Sequence, residues 1–370
     1  MIDKNKHIKL IISGGGTGGH IFPALAIADE FKRRYPNTEI LFVGAKNRME
    51  MQKVPAAGYP IESLKITGIN RKKILKNITF PFKLLSSLWK ANKIINQFKP
   101  DFVIGTGGFA SGPVLFVAQR KGIPVFIQEQ NSYPGITNKI VGKKAIKIYT
   151  AYDNLETYFD RNKINKTGNP IRQDLQQINI DKKQALKAFN LKHGLKTILI
   201  LGGSLGAEPI NKAIEKLIQK IKNKSYQLIW QTGKNNFKSY EKYNNEQVKV
   251  LDFISNMPVA YTAADLIVSR AGAGTISELS VVGKPVILVP SPYVAEDHQT
   301  KNAQYLANKK AAVLLKENEL NQLFDLFQKI FESEKISLEM SRNIKNNALP
   351  DATKKIVDDI ISILKKMNKW

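Results

Sequence analysis

Four short segments of this chain place glycines where an apolar, strand-like run gives way to a helical pattern. Gly14–Gly19 follows His7–Ser13, Gly105–Gly108 follows Asp101–Ile104, Gly202–Gly206 follows Thr197–Leu201, and Ala271–Gly274 follows Asp265–Ser269. Such a turn lets the backbone approach an anion closely, and the N–H groups at the start of the next helix stabilise its charge. That is chemistry suited to a phosphate. One turn of this kind is equally well explained by tight strand-helix packing. Four of them, spread over both halves of the chain, favour phosphate or nucleotide. Gly14, Gly16 and Gly19 also fit the dinucleotide pattern G-x-G-x-x-G, but the next strand ends at Val43-Gly44-Ala45 with no acid to hold a ribose. A nicotinamide cofactor is disfavoured on that ground.

His20 directly follows the first turn, at the start of a helix. The positive end of a helix dipole favours the neutral imidazole, which suits a general base. Position alone fits a capping or packing histidine somewhat better. His7, His193 and His298 have no metal-binding spacing, and the chain contains no cysteine and no Asp-x-Asp pair. Disulfides, thiolate metal sites and a cysteine nucleophile are excluded, and neither a metal nor a cofactor is expected. Leaving-group charge would then fall on backbone N–H groups and basic side chains. In the last turn, Thr275 and Glu278 are spaced as a capping box. An alternative use has Glu278 accepting from a ribose diol while Ala273, Gly274 and Thr275 hold a diphosphate.

Positioning these turns requires repeated strand, turn and helix units. The helical segments Ile21–Arg34, Pro113–Arg120, Pro209–Lys222 and Thr275–Val282 follow the four turns, and the strands Ile40–Val43, Pro124–Gln128, Gln227–Gln231 and Pro285–Pro290 follow those segments. This alternation predicts an α/β protein with parallel sheets and crossover helices. Gly168-Asn169-Pro170-Ile171-Arg172 interrupts the pattern and separates two doubly wound, Rossmann-like domains, 1–167 and 168–350. A length of 370 residues is itself long for one core. Ligands of such sheets sit at the carboxyl ends of strands, so the turns of both halves are expected to face one cleft. Asp351–Lys366 reads as an amphipathic helix with Ile356, Ile360, Ile361 and Leu364 on one stripe. The segment 351–370 is expected to pack near the domain junction.

Lys and Arg outnumber Asp and Glu by 57 to 31, a net charge of +26, so a polyanionic partner is expected. The excess is concentrated locally. From Ser63 to Pro100 there is no acidic residue, while Lys65, Arg71, Lys72, Lys73, Lys76, Lys83, Lys90, Lys93 and Lys99 all fall there. Among them are Ile74, Leu75, Ile78, Phe80, Phe82, Leu84, Leu85, Leu88 and Trp89, the pattern of a segment lying on an anionic bilayer. The alternative is a half-buried helix with a solvated lysine face, and Leu84–Phe98 fits that description. The chain opens without the features of a signal peptide, and no apolar run approaches the roughly 18 residues of a membrane span. Export and membrane crossing are not expected.

Several segments together resemble the MurG family of peptidoglycan glycosyltransferases. They are GGTGGH (Gly15–His20), GTGGFASGP (Gly105–Pro113), QEQNSYPGITNK (Gln128–Lys139), GNPIR, GGSLGA (Gly202–Ala207), FISNM (Phe253–Met257), RAGAGTISEL (Arg270–Leu279) and EDHQTKNA (Glu296–Ala303). They occur in the family's order over nearly the whole chain. The resemblance implies a GT-B fold and an inverting, metal-independent transfer of N-acetylglucosamine from UDP-N-acetylglucosamine. The acceptor it implies is the C4 hydroxyl of undecaprenyl-diphospho-muramyl-pentapeptide, at the cytoplasmic face of the bacterial inner membrane. By this resemblance His20 is the base. Thr17, Gly18, Gly19, Asn131 and Arg172 contribute to the donor site, and Ser204 contacts phosphate. The Ile254 backbone reads uracil, Ala273, Gly274, Thr275, Ile276, Ser277 and Glu278 hold diphosphate and ribose, and Gln299 touches the sugar. Gly15, Gly16, Gly107 and Gly108 are assigned to the acceptor diphosphate. The sequence departs from the family pattern at Gln128, Leu205, Gly274 and Thr300.

Two other enzyme readings share this architecture, a glycolipid glycosyltransferase and a UDP-N-acetylglucosamine 2-epimerase. An epimerase needs acid and base groups on both faces of the sugar, and His20 has no evident partner for that. A nucleic-acid-binding protein would also explain the charge. The chain has no recognised binding module or aromatic stacking motif, so nucleic acid is not an expected partner.

Overall fold

The computed structural model describes residues 6–68, 78–171, 175, 180–203 and 205–369, with only the backbone of Ala295. The chain divides into two units, Met1–Ile171 with Pro350–Trp370, and Arg172–Leu349.

In the first unit the strands are β1 (Ile8–Gly14), β2 (Thr38–Ala45), β3 (Ile61–Leu64), β4 (Phe102–Gly107), β5 (Val125–Glu129), β6 (Lys147–Thr150) and β7 (Ile164–Lys166). The helices between them are α1 (Gly18–Arg34), α2 (Glu50–Ala56), α3 (Phe80–Phe98), α4 (Ser111–Arg120) and α5 (Ile136–Gly142). The sheet is parallel in the order β3-β2-β1-β4-β5-β6-β7. Its central strands are apolar at nearly every position because helices cover both faces. Alternate residues therefore enter different cores. Leu10, Ile12, Phe102 and Ile104 pack with α1, while Ile11 and Val103 pack with α3 and α4.

The second unit contains α6 (Lys182–Ala188), β8 (Lys196–Leu201), α7 (Glu208–Asn223), β9 (Tyr226–Gln231), α8 (Phe237–Tyr240), β10 (Val248–Leu251) and α9 (Met257–Ala263). It continues through β11 (Leu266–Ser269), α10 (Ala273–Val282), β12 (Val286–Leu288), α11 (His298–Asn308), β13 (Val313–Leu314), α12 (Leu323–Glu332) and α13 (Glu334–Lys345). Its parallel sheet runs β10-β9-β8-β11-β12-β13. In both sheets the strand order reverses between the first and fourth strands, the switch point at which doubly wound sheets bind ligands. The four glycine turns of the sequence follow those strands: β1 and β4 in one unit, β8 and β11 in the other.

The terminal helix α14 (Ala352–Lys366) returns to the first unit and packs on α1. Ile356, Val357, Ile360, Ile361 and Leu364 complete the core on the α1 face. Arg34, buried on α1, pairs with Glu30 at 2.5 Å and reaches Asp358 on α14. Burial alone would raise the Glu30 carboxyl, but hydrogen bonds and charge from Arg33 and Arg34 prevail and hold it below the usual carboxylate range.

Helix α3 starts earlier than its lysine periodicity suggests, at Phe80 rather than Leu84. Ser87, Ala91, Ile94 and Ile95 are buried, so the half-buried helix is present. Its outer face is nevertheless apolar, with Phe82 73% and Trp89 69% exposed and Leu85 between them. Arg71, Lys72, Lys73, Ile74, Leu75 and Lys76 lie outside the described residues. Among the described residues no helix is long and apolar enough to cross a membrane.

Candidate active site

In the first unit the turns after β1 and β4 lie against each other. The Gly15 N–H donates to the Gly107 carbonyl at 3.2 Å. Gly108 has φ +91°, and a Cβ there would lie 2.4 Å from the Gly15 carbonyl oxygen; one on Gly107, at φ +96°, would lie 3.0 Å from the His20 ring. Glycine is required at both positions for these close approaches. His20 sits in the first turn of α1, where its carbonyl accepts from the Thr106 hydroxyl at 2.9 Å. Its Nδ1 is 2.8 Å from the Gly15 carbonyl oxygen. A carbonyl only accepts, so Nδ1 carries the hydrogen and the neutral ring has its lone pair on Nε2. That tautomer suits a base acting through Nε2.

The backbone donors of Gly15 and Gly16, expected to meet an acceptor diphosphate, are committed within the fold. Gly15 donates to Gly107, and Gly16 donates to Oε2 of the fully buried Glu50 at 2.9 Å. The N–H groups of His20 and Ile21 turn back to the Thr17 carbonyl. Gly18 and Gly19 are then the residues whose N–H groups the start of α1 offers to an outside acceptor.

At the end of β5, buried Glu129 accepts from the Asn131 N–H at 3.0 Å, the Gly135 N–H at 3.2 Å, and the side-chain amides of Asn138 at 2.8 Å and Asn131 at 3.3 Å. Burial pushes its carboxyl up, against the pull of those four donors. Asn138 is also 3.6 Å from the Cβ position of Gly107, so this loop, Asn131 included, is built onto the His20 side of the sheet. Gln128, one of the departures from the family pattern, donates to Asn169 at 2.9 Å, and Asn169 donates to the Gln130 carbonyl at 3.1 Å.

In the second unit Gln231, at the end of β9, joins two candidate donor segments. Its Nε2 donates to the Gly203 carbonyl at 3.0 Å, and its Oε1 accepts the Ile254 N–H at 2.9 Å. With that N–H taken, the Ile254 carbonyl is the backbone group left for a base to read. Ser204 and Arg172 lie outside the described residues.

The capping box expected from Thr275 and Glu278 does not form. Helix α10 begins at Ala273 with Gly272 as its N-cap, so Thr275 is already inside the first turn. Glycine and alanine at the turn conceal that start in the sequence. Glu278 instead accepts from the Tyr261 hydroxyl at 3.1 Å. Ser277 donates to the Ala273 carbonyl at 3.0 Å, and Ile276 is buried. A Cβ on Gly274 would meet nothing within 4 Å, leaving room beside the N–H groups of this helix start. Gln299 stands apart from this group in its hydrogen bonding, accepting the Ser291 N–H at 2.9 Å beyond β12.

Two family models match the chain, the glycosyltransferase family 28 N-terminal domain over residues 10–150 and the glycosyltransferase family 28 C-terminal domain over 197–356. The UDP-N-acetylglucosamine--N-acetylmuramyl-(pentapeptide) pyrophosphoryl-undecaprenol N-acetylglucosamine transferase of Flavobacterium psychrophilum is 56% identical, covering 96% of this chain and 98% of the relative. The chain belongs to the MurG family. The Christiangramia forsetii relative, of the same name, is 54% identical over the same shares. Among solved structures, Acinetobacter baumannii MurG superposes with TM-score 0.76 at 29% identity, covering 96% of this chain and 99% of that one. A UDP-GlcNAc 2-epimerase from Neisseria meningitidis shares the fold, with TM-score 0.65 at 16% identity.

As a MurG family member the protein is a glycosyltransferase. Sequence reading missed the contacts by which Glu50, Gln231 and Asn138 hold the candidate segments. Gln231 ends an apolar strand-like run, whereas Glu50 and Asn138 sit among other polar residues, so local pattern names no partner for any of them.

Proposed function

We propose that the protein transfers N-acetylglucosamine from UDP-N-acetylglucosamine to the C4 hydroxyl of undecaprenyl-diphospho-muramyl-pentapeptide, converting lipid I to lipid II in peptidoglycan synthesis. The observation that carries this reading is the 56% identity, over nearly all of both chains, to a transferase named for that reaction. The second unit holds the donor. The start of α10 (Ala273, Gly274, Thr275, Ile276, Ser277) faces the diphosphate, Glu278 the ribose, the Ile254 carbonyl the uracil, Ser204 a phosphate and Gln299 the sugar. Thr17, Gly18, Gly19, Asn131 and Arg172 complete the donor contacts, and the turns holding Gly15, Gly16, Gly107 and Gly108 serve the acceptor through groups other than the committed Gly15 and Gly16 N–H donors.

In the reaction the acceptor oxygen forms a bond to the anomeric carbon as the bond to UDP breaks, inverting that carbon. His20 Nε2 takes the hydroxyl proton, a role supported by the Nδ1 hydrogen bond to Gly15. The departing diphosphate gains charge, which the N–H groups at a helix start stabilise without needing a metal. The acceptor is a lipid, so the enzyme works at an anionic membrane surface, as a peripheral protein of the cytoplasmic face. Support comes from exposed Phe82, Leu85 and Trp89 on α3 within a stretch free of acidic residues.

UDP release tests the assignment. It is expected with a muramyl lipid acceptor present and not with diacylglycerol; release with diacylglycerol alone would reassign the protein to glycolipid synthesis.

A further inference from the structure

Glu50 and His20 hold opposite ends of one peptide group. The Gly16 N–H donates to Glu50 Oε2 at 2.9 Å, and the Gly15 carbonyl of the same amide accepts from His20 Nδ1 at 2.8 Å. A peptide group is planar and conjugated, so negative charge at its N–H end increases the electron density on its oxygen. Hydrogen bonds in series strengthen one another, most where water is excluded, and Glu50 is fully buried. We propose that Glu50 is a positioning residue of the reaction, which acts through the Gly15–Gly16 peptide to fix the His20 tautomer and increase the basicity of Nε2.

The carboxylate has a built place. A Cβ on Gly15 would lie 2.2 Å from Glu50 Oε1, and one on Gly44 would lie 2.5 Å from its Cγ. Larger residues at either position would push the carboxylate out. Its second oxygen accepts the Ala45 N–H at 2.9 Å, which fixes the direction of the first. Direct anion binding does not explain the arrangement, because Glu50 takes the Gly16 N–H that an anion would use. It does suit a base, since it stabilises the imidazolium that forms when Nε2 takes a proton.

Among the described residues, charged groups on the elements that carry or flank His20 have partners of their own. Glu129 on β5 lies behind Asn138, and Lys139 on α5 sits over the rings of Tyr133 and Tyr158. Arg120 is at the far end of α4, over Phe116. Further along α1, Asp29 accepts from Tyr59 and Glu30 pairs with the neighbouring arginines. Glu50 is coupled to the ring through a single amide.

The inference rests on His20 being the base, and its test separates the two ideas. The full-length protein is labelled at its histidine ring nitrogens, and His20 is followed by NMR against pH in wild type and in Glu50→Gln. The Nδ1–H tautomer is expected in wild type. In Glu50→Gln the His20 midpoint should fall by roughly 0.5 to 1 unit, and the acid limb of kcat/KM should move with it while KM for UDP-N-acetylglucosamine stays constant. A purely structural Glu50 would lower stability without moving either. The amide of glutamine serves only one of the two N–H groups, so this variant could be unstable. The wild-type protein then decides, because the Gly16 amide shift should follow the His20 midpoint. An Nε2–H tautomer, a Gly16 amide that ignores His20, or an unmoved midpoint in folded Glu50→Gln would overturn the coupling. Full turnover in His20→Ala would instead overturn the base assignment.

Discussion

Gln231 accepts the backbone N–H of Ile254 at 2.9 Å, which leaves the Ile254 carbonyl, in the next peptide, for the proposed uracil contact. The same side chain donates to Gly203 in the glycine turn after β8. Replacing it with leucine removes both bonds and releases the two segments. KM for UDP-N-acetylglucosamine is expected to rise about tenfold, the effect of losing one to two net hydrogen bonds, with kcat nearly constant. Steady-state kinetics with varied donor makes the comparison, and an unchanged KM would remove Gln231 from donor recognition.

His20→Ala should lower kcat by about a hundredfold or more, the usual contribution of a positioned base. Donor affinity should change little, because the ring is held by the Gly15 carbonyl of the turn and the proposed donor contacts lie on other residues. Titration calorimetry with UDP checks the second point, and turnover checks the first. Loss of both together would mean that the ring supports the fold of the turn and not the chemistry.

The pairing of α1 with α14 predicts acid sensitivity. Glu30 is held below the usual carboxylate range in the fold, so its stabilising contribution is present above the unfolded-state pKa and is lost as pH falls through the lower folded value. Glu30→Gln should flatten that part of the stability curve in melts recorded from neutral pH into the acid range. Arg34→Ala, which leaves Glu30 to Arg33 alone, should cost about 3 kcal/mol.

Changing Phe82, Leu85 and Trp89 together to serine should reduce binding to anionic liposomes, because the bilayer would lose three apolar side chains. Changing Lys72, Lys73 and Lys76 to glutamate should have the same effect through charge. Turnover on a water-soluble acceptor analogue should stay near wild type in the serine variant. Vesicle sedimentation measures the binding, and equal binding by both variants would refute docking through this segment.

The strands flanking each switch point, and the turns that follow them, were legible because apolar runs ending in glycine have few other uses. Helix starts were read late for the same reason. Gly18 and Gly19 open α1, and Ala273 and Gly274 open α10, where poor helix formers or small residues hide the first turn. That concealment produced the false capping box at Thr275. Short strands such as β3 and β13 carry too few residues to show a period. The contacts of Glu50 and Gln231 were invisible because their partners, Gly16 and Ile254, are far along the chain, and local pattern carries no distance. His20 was legible as a candidate, but its tautomer required the Gly15 carbonyl to be located.

The most direct measurement follows labelled N-acetylglucosamine from UDP-N-acetylglucosamine in the presence of the muramyl lipid and a metal chelator. The predicted result is label in the lipid, as a disaccharide whose new linkage has the β configuration, inverted from the donor. Label that stays in the nucleotide fraction as the 2-epimer, or a lipid product that retains the donor configuration, would contradict it.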